Sequence, residues 1–352
     1  MKNIAHNIYI HVPFCISKCN YCAFFSCACH NPDWDKYAHD ICTEIDYWGA
    51  HLGKIDVPTI FFGGGTPSLM PINTFEKIIN HIKQNFNLDK QAEITLESNP
   101  GTLTKQKLTE FYNAGINRLS VGVQSFDDNK LKFLGRIHNT HNALELLHNA
   151  QDLGLRISAD FIYGLPGETI EDVIKTCHKI NNLGLTHCSM YELTIEPDTP
   201  FGKMHLQTPN NDTMAQMYNA ISEYLKLPRY EVSNYAIPGQ ECKHNQNIWD
   251  GKPYIGIGTG AAGRIFLDGI WYEQMGNNEK FEIISANVRA TEKLITGMRT
   301  MHGCQLTDDV KNVIDIDWIN QKPDLVKIQN NRISATEYGI LILDEIMINL
   351  VK

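Results

Sequence analysis

The stretch IYIHVPFCISKCNYC, residues 8 to 22, decides how the rest of this chain is read. Its apolar start, residues 8–12, predicts a short strand. Pro13 ends that strand, because a proline nitrogen has no hydrogen to give a sheet ladder. Cys15, Cys19 and Cys22 follow at C-x3-C-x2-C spacing. Three thiolates on one tight loop can hold three corners of a cubane iron–sulfur cluster and leave the fourth iron open to a small molecule. Zinc is the first competitor, although structural zinc takes four ligands, most often as two C-x2-C-type pairs. A disulfide is the second, and an odd triplet this close together fits one poorly, which leaves zinc and inert thiols as the alternatives.

Working outward, the 352 residues allow one large domain plus a smaller one. A hydrophobic fraction of 43% with 20% charged residues predicts a globular chain. The net charge of −9 and the lack of any long basic run leave no electrostatic footprint for nucleic acid. No apolar run reaches the roughly 18 residues of a membrane span. Residues 1–14 carry one lysine and no apolar core with a small-residue cleavage site, so a cytoplasmic protein is expected. Ten cysteines without a regular framework suit a reducing compartment. Of these, Cys27 and Cys29 read as free thiols, and the later five as packing residues.

After the cysteine loop, apolar and helical spacings alternate. Strands are expected at 58–62, 93–97, 118–123, 157–162 and 187–193. Helices are expected at 33–48, 72–86, 104–113, 139–153 and 169–183, with Asp33 as an N-cap. Six strand–loop–helix units predict a parallel sheet with right-handed crossovers. Six are too few to close an eight-fold barrel, so the expected fold is α/β, a partial (β/α)6 TIM-like barrel over residues 1–208. In such barrels the chemistry sits at the C-terminal strand ends. There the sequence turns polar and glycine-rich, at Gly63, Gly64, Gly65, Glu97, Gln124 and Asp160. Residues 209–352 read as an accessory region. A helix is expected at 214–225, a strand at 230–232 and helical spacing at 290–301. Ser334 to Glu337 reads as a capping box opening a terminal helix, and a mostly helical terminal domain covers about 285–352.

Cys15, Cys19 and Cys22, the GGGTP run at 63–67 and DFIYGLP at 160–166, in this order, resemble the radical S-adenosylmethionine (SAM) superfamily. Within it the chain is similar to the coproporphyrinogen dehydrogenase-like branch, and in that branch to its heme-chaperone group. ESNP at 97–100, SVGVQSF at 120–126, YEVSNYA at 230–236 and HNQNIW at 244–249 extend the likeness over nearly the whole chain. The resemblance implies a [4Fe–4S] cluster on the three cysteines, with SAM chelating the open iron. It implies further SAM-pocket residues at Tyr9, Tyr21, Gly63, Gly64, Gly65, Thr66, Glu97, Gln124, Arg136 and Asp160. Glu97 and Asp160 would accept hydrogen bonds from SAM, and Arg136 would pair with its carboxylate.

The same resemblance implies heme as a third cofactor and heme-accepting respiratory membrane proteins as partners, met from the cytoplasmic face of the membrane. A homodimer is the commonest oligomer. The group's heme-associated pattern is His-Asn-x-x-Tyr-Trp. Here His244 is the candidate iron ligand and Trp249 the candidate porphyrin contact, while Ile248 stands in place of the tyrosine. The branch also contains a radical decarboxylase of coproporphyrinogen, which carries a fourth cysteine and an N-terminal extension. Phe24 occupies the fourth-cysteine position here, and 14 residues precede Cys15. Both departures favour the chaperone reading. A zinc-binding module without redox chemistry stays as the third reading.

Overall fold

A computed structural model describes residues 4–275 and 281–352 of the chain. Residues 1–3 of the N-terminal segment and 276–280 of the accessory region lie outside the described residues.

The apolar runs between glycine and proline turns become six strands: β1 (Asn7–Val12), β2 (Asp56–Gly64), β3 (Asn87–Ser98), β4 (Arg118–Gln124), β5 (Arg156–Tyr163) and β6 (His187–Glu192). They pair in parallel and in sequence order, and helices cross between them. The helices are α1 (Trp34–Leu52), α2 (Ile72–Asn85), α3 (Lys105–Asn113), α4 (Asp128–Phe133), α5 (Thr140–Asp152) and α6 (Ile170–Asn182), followed by α7 (Asn211–Tyr224). Side-chain caps set several starts: Asp33, Thr104, Asn139 and Thr169 each accept a backbone N–H three residues on. Each such cap contributes about 1 kcal/mol.

Parallel strands covered on both faces are ordinarily apolar throughout. These are not. Ile8, Ile10, Ile60, Phe62, Ile94, Leu96, Leu119, Val121, Ile157, Ala159 and Met190 face the helices and make the main core. The alternate residues, among them Tyr9, Glu97, Arg118, Ser120, Ser158, Asp160, His187 and Ser189, line the barrel interior. The barrel is therefore apolar on its outer face and polar within, which is what an interior binding site needs.

The accessory region does more than expected. Its strands β7 (Asn234–Ala236), β8 (Tyr254–Ile257), β9 (Ala262–Leu267), β10 (Ile270–Met275) and β11 (Phe281–Ile283) join the same sheet, whose order is β11-β10-β9-β8-β1-β2-β3-β4-β5-β6-β7. β8 is parallel to β1 and lies before it; β7 is antiparallel to β6. The division at residue 208 thus does not coincide with a change of sheet. The strand expected at 230–232 forms instead at β7, and residues 229 and 231 make isolated bridges.

The terminal part combines α9 (Ala286–Met298), α10 (Asp308–Val313), α11 (Ile316–Gln321) and α12 (Leu343–Leu350) with a sheet of β12 (Cys304–Gln305), β13 (Val326–Gln329) and β14 (Arg332–Ala335) around a second core. The capping box expected at 334–337 does not form. Ser334 lies inside β14, Thr336 N donates to Leu325 O at 2.9 Å, and the Thr336 hydroxyl accepts from Gly339 N, so the chain turns before α12 begins.

Candidate functional site

The cysteine loop sits over the C-terminal ends of the barrel strands. Phe14–Cys15 pairs in parallel with Cys27–Ala28. Cys27 N donates to Pro13 O and Cys29 N to Cys15 O, both at 2.8 Å, which closes the loop into a ribbon. From below, Asn20 binds the end of α4: its N donates to Leu134 O at 3.1 Å and its Nδ2 to Phe133 O at 2.9 Å. All ten cysteines are unpaired.

Cys15, Cys19 and Cys22 line one cavity of about 440 Å³, together with Tyr21, Gly64, Gly65, Glu97, Gln124, Arg136 and Asp160. Cys27 and Cys29 lie outside that lining. Among the described residues, no three His, Cys, Asp or Glu side chains are disposed to hold a single metal ion. The three thiols line one shared space, and a set of three thiolates is the donor set an iron–sulfur cluster takes. Burial pushes the Cys15 thiol up from its ordinary range, while hydrogen bonds with Thr66 and Ser26 pull it back. Burial raises Cys22 too.

The glycine run brings β2 against this loop. Gly65 N donates to Val12 O at 2.8 Å, and a Cβ on Gly65 would meet Phe14 O at 2.7 Å and Val12 O at 2.9 Å. Gly64 has φ +112° and lies flat on the His11 ring, 2.5 Å from where its Cβ would stand. Only glycine tolerates both conditions. His11 Nε2 donates to Phe25 O at 2.8 Å, so its Nδ1 accepts from the Tyr9 hydroxyl at 2.9 Å. Gly63 sits lower, with Tyr9 and Glu97 beside it.

Glu97 Oε2 accepts from Gly64 N at 3.1 Å. Burial first, then the nearby Asp160 charge, pushes its carboxyl up to about 7. Asp160 accepts from three serine hydroxyls, those of Ser120 (2.8 Å), Ser158 (3.0 Å) and Ser189 (2.7 Å). Arg136 NH1 lies 3.3 Å from Cys19 Sγ; NH2 donates to Gly122 O at 2.9 Å and to Asn99 Oδ1. Asn99 Nδ2 reaches the Thr66 hydroxyl at 2.9 Å. Asn99 thus ties the glycine loop to the arginine, a role that reading it as part of a strand-end motif had not assigned. Gln124 ends β4 at φ +65°, beside a register shift at Gly122. A non-glycine residue held there marks a strand end shaped for something other than sheet pairing.

His244 and Trp249 are not brought together. HNQNIW is helical, in α8 (Lys243–Trp249), and α8 packs on the N-terminal ends of the strands, where Glu93 accepts from its first N–H groups and Thr59 meets His244. His244 is 2% exposed and faces an interior chamber of about 270 Å³. Trp249 lines a different pocket, with Lys293 and Arg332, and its ring meets Tyr230. One porphyrin cannot touch both while α8 is seated. The chamber is also smaller than the roughly 300–1,000 Å³ of sites that enclose drug-sized ligands, a class a porphyrin exceeds. Tyr9 belongs to this chamber rather than to the cysteine cavity, and Thr66 lies just behind that cavity.

Residues 9–180 match the family model described as the Radical SAM superfamily. The heme chaperone HemW of Escherichia coli (strain K12) is 39% identical over 269 residues, 75% of this chain and 71% of that protein. The chain belongs to the HemW family. The HemW of Bacillus subtilis (strain 168) is 34% identical over 268 residues, 73% of this chain and 70% of its own. Among solved structures, the E. coli radical SAM enzyme coproporphyrinogen III oxidase (HemN) superimposes with a TM-score of 0.82 over 99% of this chain and 90% of that one. At 18% identity, that likeness establishes the shared partial barrel alone. Radical SAM proteins of this kind carry a [4Fe–4S] cluster and SAM. Among the described residues no helix is long and apolar enough to cross a membrane.

Proposed function

We propose that this HemW-family chain holds one [4Fe–4S] cluster on Cys15, Cys19 and Cys22, binds SAM beside it, and carries heme to heme-requiring proteins of the respiratory membrane. One observation supports the cofactor reading above all others. Three thiols share a single cavity with Glu97, Gln124, Arg136 and Asp160. When bound, the cluster supplies a low-potential electron and an open iron.

The chain's own residues position and shield. Gly64 and Gly65 let the β2 backbone lie against the cysteine loop. Arg136 sets a positive charge beside Cys19, which is anionic when it ligates iron. Glu97 and Asp160 present acceptors to a cationic ligand. Near neutral pH Glu97 can gain or lose a proton at its free Oε1 edge as the ligand's charge arrives.

For heme we favour the cavity mouth over α8. Phe24 and Tyr191 both line the mouth and are 67% and 42% exposed, an aromatic rim suited to a porphyrin face. Ligation by His244 would require α8 to leave the barrel floor. An absorbance titration of heme into cluster-loaded protein tests the function, run beside a coproporphyrinogen decarboxylation assay with SAM and reductant. Saturable heme binding without CO2 release is expected. CO2 release, or no saturable binding, overturns the proposal.

A further inference from the structure

The mouth of the cysteine cavity is unevenly charged. Among the described residues its lining carries two cations, Lys18 and Arg136. Arg136 is already engaged, with Cys19, Gly122 and Asn99. Lys18 is exposed and makes no ion pair among the described residues; its ammonium donates to Phe24 O at 3.2 Å. That bond keeps an uncommitted positive charge and the exposed Phe24 on one short stretch of the cysteine loop. A second stretch of the lining is anionic. Glu192 ends β6 and Glu196 follows it, both exposed and both without an ion pair among the described residues. Four strands separate β6 from β1, which leads into the cysteine loop. A ligand with one anionic edge is drawn to the Lys18 side of this mouth and repelled from the Glu192 side.

Porphyrins differ in where their carboxylates lie. Heme has its two propionates on one edge, and the rest of its rim is apolar. Coproporphyrin carries propionates all round the macrocycle. A heme lying on the Phe24 and Tyr191 rim can turn its propionate edge to Lys18 and an apolar edge to Glu192 and Glu196. Every rotation of a coproporphyrin sets at least one carboxylate toward those glutamates, and like charges brought together cost affinity. Resting on the heme reading above, we propose that Lys18 receives the propionate edge of heme and that Glu192 and Glu196 turn away porphyrins with carboxylates on every side. The mouth then selects its cargo by the placement of negative charge rather than by the shape of the macrocycle.

Absorbance titrations of cluster-loaded protein with heme, heme dimethyl ester and iron coproporphyrin test this. Wild-type protein should bind heme about threefold to fivefold more tightly than the ester, the scale of one exposed charge pair. That comparison needs no variant, so it holds even if a change beside Cys19 disturbs cluster loading. Lys18→Gln should weaken heme to the level of the ester, and Lys18→Arg should restore it. Iron coproporphyrin should bind wild-type protein more weakly than heme, and Glu192→Gln with Glu196→Gln should narrow that ratio by about threefold or more. Equal binding of heme and its ester, heme affinity indifferent to Lys18→Gln in cluster-loaded protein, or a coproporphyrin ratio unmoved by the paired glutamine variant would each overturn the charge selection while leaving the heme reading in place. A wild-type protein that binds none of the three porphyrins would overturn the heme reading, and this inference with it.

Discussion

Glu93 holds the barrel floor, and its removal gives a sharp test of how α8 is seated. The carboxylate is 1% exposed. Oε1 accepts from His244 N at 2.9 Å; Oε2 accepts from Lys243 N at 3.2 Å and pairs with Arg156 NH1 at 2.7 Å. Breaking a buried pair by removing one partner costs about 3–5 kcal/mol. Arg156 keeps some solvent and its bonds to Gln240 and Glu241, which argues for the lower end. Losing the acceptor for the first N–H groups of α8 adds about 1 kcal/mol. Glu93→Ala should therefore cost about 3–4 kcal/mol, and Glu93→Gln, which keeps one acceptor, about 1–2 kcal/mol.

The pH dependence has a definite sign. Burial alone would push the Glu93 carboxyl up, but Arg118, the His244 and Lys243 amides and Arg156 together hold it below its ordinary 4.5. Its contribution is complete above about that pH and fades as pH falls through the lowered folded value. The deficit of Glu93→Ala should shrink in acid. Urea unfolding of wild type and both variants at pH 7.5 and pH 4 measures this. A Glu93→Ala protein within 1 kcal/mol of wild type at neutral pH would refute the latch.

Three further outcomes are expected. Glu97 is raised to about 7, so a SAM cation beside it should expel its proton. SAM affinity should then rise between about pH 6 and pH 8, and Glu97→Gln should flatten that rise; an unchanged slope in the variant would count against the contact. Gly64→Ala forces a Cβ into the His11 ring at φ +112° and should cost about 2 kcal/mol or more together with cluster retention, read by unfolding and by iron content. Phe24→Ala should weaken heme binding several-fold while His244→Ala leaves the titration unchanged; the reverse pattern would place heme at α8.

Local physics makes much of this legible in the residues themselves. Turn residues and alternating spacings marked all six barrel strands, and the caps at Asp33, Thr104, Asn139 and Thr169 lie where helices were expected to begin. The cysteine spacing and the strand-end residues pointed to one mouth, and seven of the ten expected SAM-pocket residues line it. What local reading missed depends on distant pairing. The glycine-rich run at 254–263 carries no strand signal of its own; it becomes β8 and β9 because β1 offers it a free edge. HNQNIW is too short for a helical period to show, and its N-terminus is held by Glu93, about 150 residues away. One signal was present and unused: polar residues at every second position of strands that had to be buried on both faces, as in Arg118 and Ser120 or Ser158 and Asp160. That pattern announces a polar barrel interior.

Iron and acid-labile sulfide per chain, after anaerobic reconstitution, bear most directly on the three cysteines. About four of each should be retained by the wild-type protein, and the Cys15→Ser, Cys19→Ser and Cys22→Ser triple variant should retain none. Cys27→Ser with Cys29→Ser should load as wild type does. A triple variant that still takes up iron and sulfide, or a wild-type protein that takes up zinc in their place, would contradict the cluster assignment.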